Sequence, residues 1–166
     1  MRPRLQSRLL AASGAGTLVR RPARARSAEL RLPVFLHERD AHARFLEILR
    51  GHRPHLVDAV VHCFTGTEAE LEAYLEIGAC IGITGWICDE RRGASLRRLT
   101  ARIPLDRLMI ETDAPFLAPR DLRPRQKRNE PMHLPHILAA IAQERGEDTV
   151  VVAAATTANA RRVFRL

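Results

Sequence analysis

Three apolar runs in this chain end in a side chain of the kind that holds metals, and they recur at nearly even spacing. Leu108–Pro115 reads Leu-Met-Ile-Glu-Thr-Asp-Ala-Pro, an apolar run leading into Glu111 and Asp113 and stopped by Pro115. Leu32–Asp40 reads Leu-Pro-Val-Phe-Leu-His-Glu-Arg-Asp and reaches His37; Ala59–Gly66 reads Ala-Val-Val-His-Cys-Phe-Thr-Gly and reaches His62. A fourth run, Ala79–Gly85, ends in Thr84-Gly85 without a ligand. Strand side chains alternate between faces, so Glu111 and Asp113 share one face at the C-terminal end of their strand. Strand ends fall near residues 37, 62, 85 and 113, steps of 25, 23 and 28 with a helix-like segment in each gap. That is close to the roughly 30 residues per βα unit of an eight-fold barrel, in which ligands gather at the C-terminal strand ends. Any one stretch is equally well a core histidine or a solvated acidic turn. Two histidines and an aspartate at three equivalent ends favour a shared site.

The chain as a whole permits this. Its 166 residues make one domain's worth of chain, long enough for a real core, and no apolar run approaches the roughly 20 residues of a membrane span. Cys63, Cys80 and Cys88 form no C-x-x-C pair and leave an odd count, which suggests a reducing compartment with all three buried as small apolar residues. The net charge of +8 is unevenly spread: eight arginines and one acid, Glu29, put +7 of it in residues 1–31. The rest holds 19 basic and 18 acidic groups, so its bulk charge argues for no partner.

Residues 1–28 are rich in Arg, Ala, Gly, Ser and Pro. Such a stretch reads as a mitochondrial transit peptide, as a basic arm, or as a disordered or non-native leader. The last is preferred, since 26 arginines against the single Lys127 fit a GC-rich codon bias. Residues 29–166 form the expected folded domain. After the first strand a helix is expected over about Ala41–Arg50, with Phe45, Leu46 and Leu49 on one face and Gly51-His-Arg-Pro54 ending it. His42, His52 and His55 are expected at the surface. Thr67-Glu-Ala-Glu70 is a capping box that starts a helix ended by Gly78. Gly85–Gly93 reads as a polar loop at the ligand mouth carrying Arg91 and Arg92. A short helix near Ala94–Ala101, a Pro- and Arg-rich loop over Arg120–Pro131, and helices near His133–Glu144 and Thr149–Phe164 complete the chain. His133 and His136, beside Pro135, are expected to cap or face solvent.

Taken together, Pro33-Val-Phe-Leu-His-Glu-Arg-Asp40, Val61-His-Cys-Phe-Thr-Gly66, Ile81-Gly-Ile-Thr-Gly85, Ile110-Glu-Thr-Asp-Ala-Pro115 and Arg128-Asn-Glu-Pro131 resemble the TatD family of metal-dependent deoxyribonucleases. The resemblance runs from about Leu30 to the C-terminus. It implies an α/β fold that is part of a (β/α)8 TIM-type barrel, about four parallel βα units corresponding to strands five to eight. It also implies metal-dependent phosphodiester hydrolysis, in close relatives 3′-to-5′ exonuclease action on single-stranded DNA or RNA. By the same resemblance His37, His62 and Asp113 hold a divalent cation (Mg, Mn or Zn), and Asp113 also positions or deprotonates the attacking water. Glu111 orients a ligand, and Arg39, Arg91 or Arg128 pairs with phosphate.

The chain departs from the family in having no His-x-His, which the family carries on its first strand together with a bridging Glu on its fourth. Three further expectations follow. The chain is either an active nuclease, an inactive remnant or interaction module, or a hydrolase of small esters or amides. Open edges at Val34–His37 and Leu108–Asp113 invite pairing, and two copies closing one barrel is one form of it. A cytoplasmic location is expected, or a mitochondrial one if residues 1–28 are a genuine transit peptide.

Overall fold

The computed structural model describes residues 10–12, 30–91 and 93–166; most of the stretch read as a leader, and Arg92, lie outside the described residues. Five parallel strands, β1 (Leu10–Ala12), β2 (Val34–Glu38), β3 (Ala59–Val61), β4 (Cys80–Ile83) and β5 (Leu108–Ile110), stand side by side in sequence order. Helices α1 (His42–His52), α2 (Glu68–Glu76), α3 (Gly93–Thr100), α4 (Leu134–Arg145) and α5 (Thr149–Phe164) connect or follow them. This is the expected α/β architecture of successive parallel βα units.

The strands are apolar on both sides because both sides are covered. On the first face Leu36, Val61, Ile81, Ile83 and Leu108 form one core with Phe45 and Leu49 of α1, Leu71 and Tyr74 of α2, Leu96 of α3 and Ile137 of α4. On the opposite face Val60, Cys80 and Met109 are buried in a second cluster with Val163 of α5, flanked by Phe35 and Ala160. The C-terminal helix therefore serves part of the face that an opposing half-barrel would otherwise fill. The edge expected to be open at β2 is likewise paired, Leu10–Ala12 aligning with Leu36–Glu38. A three-residue run is too short to signal a strand by pattern, but its backbone groups are enough to satisfy a parallel edge.

Local signals act where the sequence places them. The Thr67 hydroxyl accepts from the Glu70 amide while the Glu70 carboxylate accepts from the Thr67 amide at 2.7 Å, closing the capping box. Gly146 ends α4 at φ +63°, where a Cβ would be strained. Two boundaries differ. The first helix continues through Gly51 to His52, and Pro54 sits inside a 3₁₀ turn, Arg53–His55, because a proline near a turn's start loses no needed hydrogen bond. Gly85–Cys88 is also a 3₁₀ turn with Ile87 and Cys88 buried, not an open polar loop. Its apolar side chains carry it into the core.

Arg145, at the end of α4, ties the helix layer to the segment before β5. Its side chain is only 6% exposed, and it donates to the Thr100 and Ile103 carbonyls at 2.8 and 2.7 Å and to both Glu147 oxygens at 2.9 and 3.0 Å. Arg145→Ala leaves the Ile103 carbonyl without its donor and the Thr100 carbonyl with only the Ile103 amide at 3.4 Å, and is expected to cost about 2 kcal/mol; urea unfolding checks it. Those hydrogen bonds also hold the Glu147 carboxyl below its usual range. A depressed folded-state value means that this contribution is present above the ordinary carboxyl pKa and fades as pH falls through the folded one. Arg145→Ala should therefore lose more stability at pH 7 than at pH 3.

Candidate metal centre

The C-terminal ends of β2, β3 and β5 bring the ligand-type side chains to one rim. The His62 amide donates to the Leu36 carbonyl at 2.8 Å, continuing the β2–β3 pairing, and the Glu111 amide donates to Ile83 at 2.9 Å, continuing β4–β5. His62 and Glu111 thus sit one residue past their strands, where the ladder still fixes the backbone and the side chains leave the sheet.

His62 stands between two carboxylates. Its Nδ1 is 2.7 Å from Glu111 Oε2 and its Nε2 is 2.9 Å from Asp113 Oδ1. Glu111 Oε2 also accepts the Cys63 amide at 3.1 Å. Burial alone would depress the His62 pKa; hydrogen bonds to Asp113 and Glu111, with their charges, outweigh it and raise the value to about 9. Burial pushes Asp113 the other way, yet His62 holds its carboxyl below the usual range. The site is thus built to stabilise positive charge at His62 Nε2, where a proton and a cation compete for the same lone pair.

His37 is one ring away, its centroid 5.7 Å from that of His62. Burial first, then the His62 charge, hold its pKa below the ordinary value, which favours the neutral imidazole with a lone pair on one ring nitrogen. Its Nδ1 is buried and has no hydrogen-bond partner among the described residues, as is true of Glu111 Oε1. Cys63 follows His62 in a left-handed backbone conformation, φ 52°, which turns its thiol back to the rim. One ligand atom from each of His62, Cys63 and Asp113 lies within 4.8 Å of the others. Burial pushes the Cys63 thiol up to about 12, which keeps it protonated. Two carboxylates, two imidazoles and orphaned buried donor atoms are the chemistry that a divalent cation needs. Reading from sequence missed Cys63, although its place directly after His62 at a strand end was a signal.

The space for this arrangement comes from Gly82. A Cβ on that residue would lie 2.1–2.2 Å from the Glu111 carboxylate. The missing side chain lets the buried acid lie over β4 and reach His62.

The other singled-out residues have varied fates. Arg39, Arg91 and Arg128 are exposed; the Arg39 charge is felt at His37, while the Arg91 amide donates to Asp89. Cys63, Cys80 and Cys88 are all buried free thiols, as expected. His133 Nδ1 accepts the Glu130 amide at 3.2 Å and so caps. His42 was expected at the surface, but its Nδ1 is buried and its ring meets Tyr74 edge-on at 4.9 Å, because the start of α1 is pressed onto α2. His136 was expected to cap or face solvent. It pairs instead with Asp121 at 2.7 Å, and one ligand atom from each of Cys88, Asp121 and His136 lies within 4.8 Å of the others. The contact fastens the long loop to α4.

Comparison with known proteins gives the family. The family model for TatD related DNase matches residues 21–165. A 3′-5′ ssDNA/RNA exonuclease TatD of Pectobacterium parmentieri is 58% identical over 142 residues, covering 84% of this chain and 55% of that protein. One from Klebsiella pneumoniae is 56% identical over 140 residues, covering 83% and 53%. Among solved structures, the TatD homologue YJJV from Escherichia coli superposes with a TM-score of 0.76 at 30% identity, over 86% of this chain and 54% of that one. A TatD-family hydrolase from Entamoeba histolytica, at TM-score 0.74 and 24% identity over 87% and 55%, shares the fold. The chain spans about half the length of the curated relatives it matches. With a family model matched across most of its length and the strand-end arrangement described above, the chain belongs to the TatD-related DNase family.

Proposed function

We propose that this chain is a metal-dependent phosphodiesterase acting on single-stranded DNA or RNA, with His37, His62 and Asp113 holding a divalent cation. The observation that carries the reading is His62 held between Glu111 and Asp113 at 2.7 and 2.9 Å. Glu111 accepts from His62 Nδ1–H, so a cation that displaces the Nε2 proton shared with Asp113 would meet the lone pair of that nitrogen. When bound, the cation supplies counter-charge to the phosphoryl oxygens and lowers the pKa of water. Asp113, kept ionised by His62 and with its side chain 20% exposed, accepts the proton of the attacking water as the water oxygen bonds to phosphorus and the phosphorus–oxygen bond to the departing sugar oxygen breaks, that oxygen leaving as a hydroxyl with a proton from solvent. The names of the curated relatives, 3′-5′ ssDNA/RNA exonucleases, support the substrate class. The metal is Mg, Mn or Zn.

The test is the purified full chain with each cation on a 5′-labelled single-stranded oligonucleotide. The reading predicts stepwise shortening from the 3′ end that a chelator stops. The absence of a His-x-His favours a second reading, an inactive scaffold that retains the fold. Metal binding without turnover would select it. Hydrolysis of small esters or amides in place of the oligonucleotide would select another hydrolase activity. Pairing of a second copy along the outer edge of β5 is part of the same proposal, and sedimentation showing only monomer at high concentration would remove it. Among the described residues no helix is long and apolar enough to cross a membrane, and a cytoplasmic site of action suits the reading.

A further inference from the structure

Beside the metal centre lies a pocket of about 420 Å³ that the proposed chemistry has not used. One wall is Gly85 and Trp86, in the 3₁₀ turn after β4; the other is the loop running through Leu117–Arg120 and Arg125–Lys127. Its position relative to the centre is fixed on both sides. Thr84, the residue before this turn, places its hydroxyl 3.5 Å from the Cys63 thiol, and Leu117 comes four residues after Asp113.

The lining has a specific chemistry. Trp86, the chain's single tryptophan, is half-buried and offers part of an indole. Arg120, Arg125 and Lys127 contribute three cations against one lining acid, Asp89, whose buried carboxylate is paired with Arg120 at 3.2 Å. Arg125 and Lys127 are exposed. Outside the pocket, on the segment between it and Asp113, Phe116 is 73% exposed. Aromatic faces flanked by exposed cations are what a groove for single-stranded nucleic acid presents: bases stack and the backbone is neutralised.

The walls are built rather than incidental. The Asn129 side chain, only 1% exposed as a residue, donates to the Thr112 hydroxyl and to the Phe116 and Leu117 carbonyls at 2.9, 2.8 and 3.2 Å. Asp121 is held by His136. At Gly85 a Cβ would lie 2.7 Å from the Leu117 carbonyl, so the loop packs against the turn as only glycine allows.

We propose that this pocket seats a nucleotide of the substrate adjoining the scissile phosphate, with its base against Trp86 and its phosphate on Arg125 and Lys127. The inference rests on the phosphodiesterase reading for the identity of the strand, but it is tested by binding alone. Single-stranded oligothymidylate is titrated into the full chain with a chelator present, following both the intrinsic tryptophan fluorescence and the anisotropy of a labelled oligonucleotide. Saturable quenching that coincides with the anisotropy change is expected. The affinity should fall about tenfold or more in Trp86→Ala, since stacking on one aromatic commonly contributes that much. Arg125→Ala with Lys127→Ala should flatten the salt dependence, as fewer counterions are released; both positions are exposed, so that variant keeps the proposal testable even if Trp86→Ala does not fold. A duplex of the same sequence should bind more weakly, and oligouridylate compared with oligothymidylate separates RNA from DNA.

Anisotropy without quenching, unchanged affinity in both variants, or no binding at all would overturn the pocket. Quenching and binding with no oligonucleotide hydrolysis in metal would leave the pocket standing and remove the phosphodiesterase reading. Hydrolysis with Trp86 silent would do the reverse.

Discussion

Gly82→Ala is expected to lower stability by about 3 kcal/mol, combining overpacking with loss of a charge-assisted hydrogen bond. The added methyl would fall 2.1–2.2 Å from three atoms of the Glu111 carboxylate, and Glu111 is only 9% exposed. The acid must move, and moving breaks its bonds to His62 Nδ1 and the Cys63 amide. Urea unfolding measures the loss. The double variant Gly82→Ala with Glu111→Ala separates the causes: recovery of part of the stability places the strain on the carboxylate, whereas a further drop places it in the backbone of β4. The single variant should also weaken metal binding, because His62 loses the group that fixes its tautomer.

His62→Ala and Asp113→Ala are each expected to lower metal affinity, and any hydrolysis that depends on it, by a hundredfold or more, on the order of the loss seen when a key electrostatic group leaves a catalytic site. Glu111→Gln should fall less, about ten- to a hundredfold, as expected of a residue acting through a ligand. The order matters more than the values. Isothermal titration with manganese, alongside oligonucleotide hydrolysis, reads both. Hydrolysis that survives His62→Ala and Asp113→Ala together would mean that the activity comes from elsewhere.

Much of this centre was legible in the chain because period and punctuation are local. An apolar run followed by His37, His62 or Glu111-Thr-Asp113 can be recognised without knowing what lies beside it, and the structure brings those ends to one rim. Thr67 and Glu70 announced their capping box for the same reason. What escaped depends on partners distant in sequence. His42 looks like a surface residue until Tyr74, 32 positions on, closes over it. His136 looks like a cap until Asp121 meets it. Gly82 reads as an ordinary strand glycine until Glu111 claims its empty Cβ position. The Arg-rich loop likewise gave no hint that Arg120, Arg125 and Lys127, rather than Arg39, Arg91 or Arg128, line the pocket with Trp86.

The central claim is that His37, His62 and Asp113 meet at one cation. Crystals of the full chain soaked in manganese, with data collected for anomalous scattering, test it most directly. The account predicts one dominant anomalous peak in contact with His62 Nε2, an Asp113 oxygen and a nitrogen of His37. A dominant peak at the Cys88, Asp121 and His136 group, or none at this rim at saturating manganese, would contradict it.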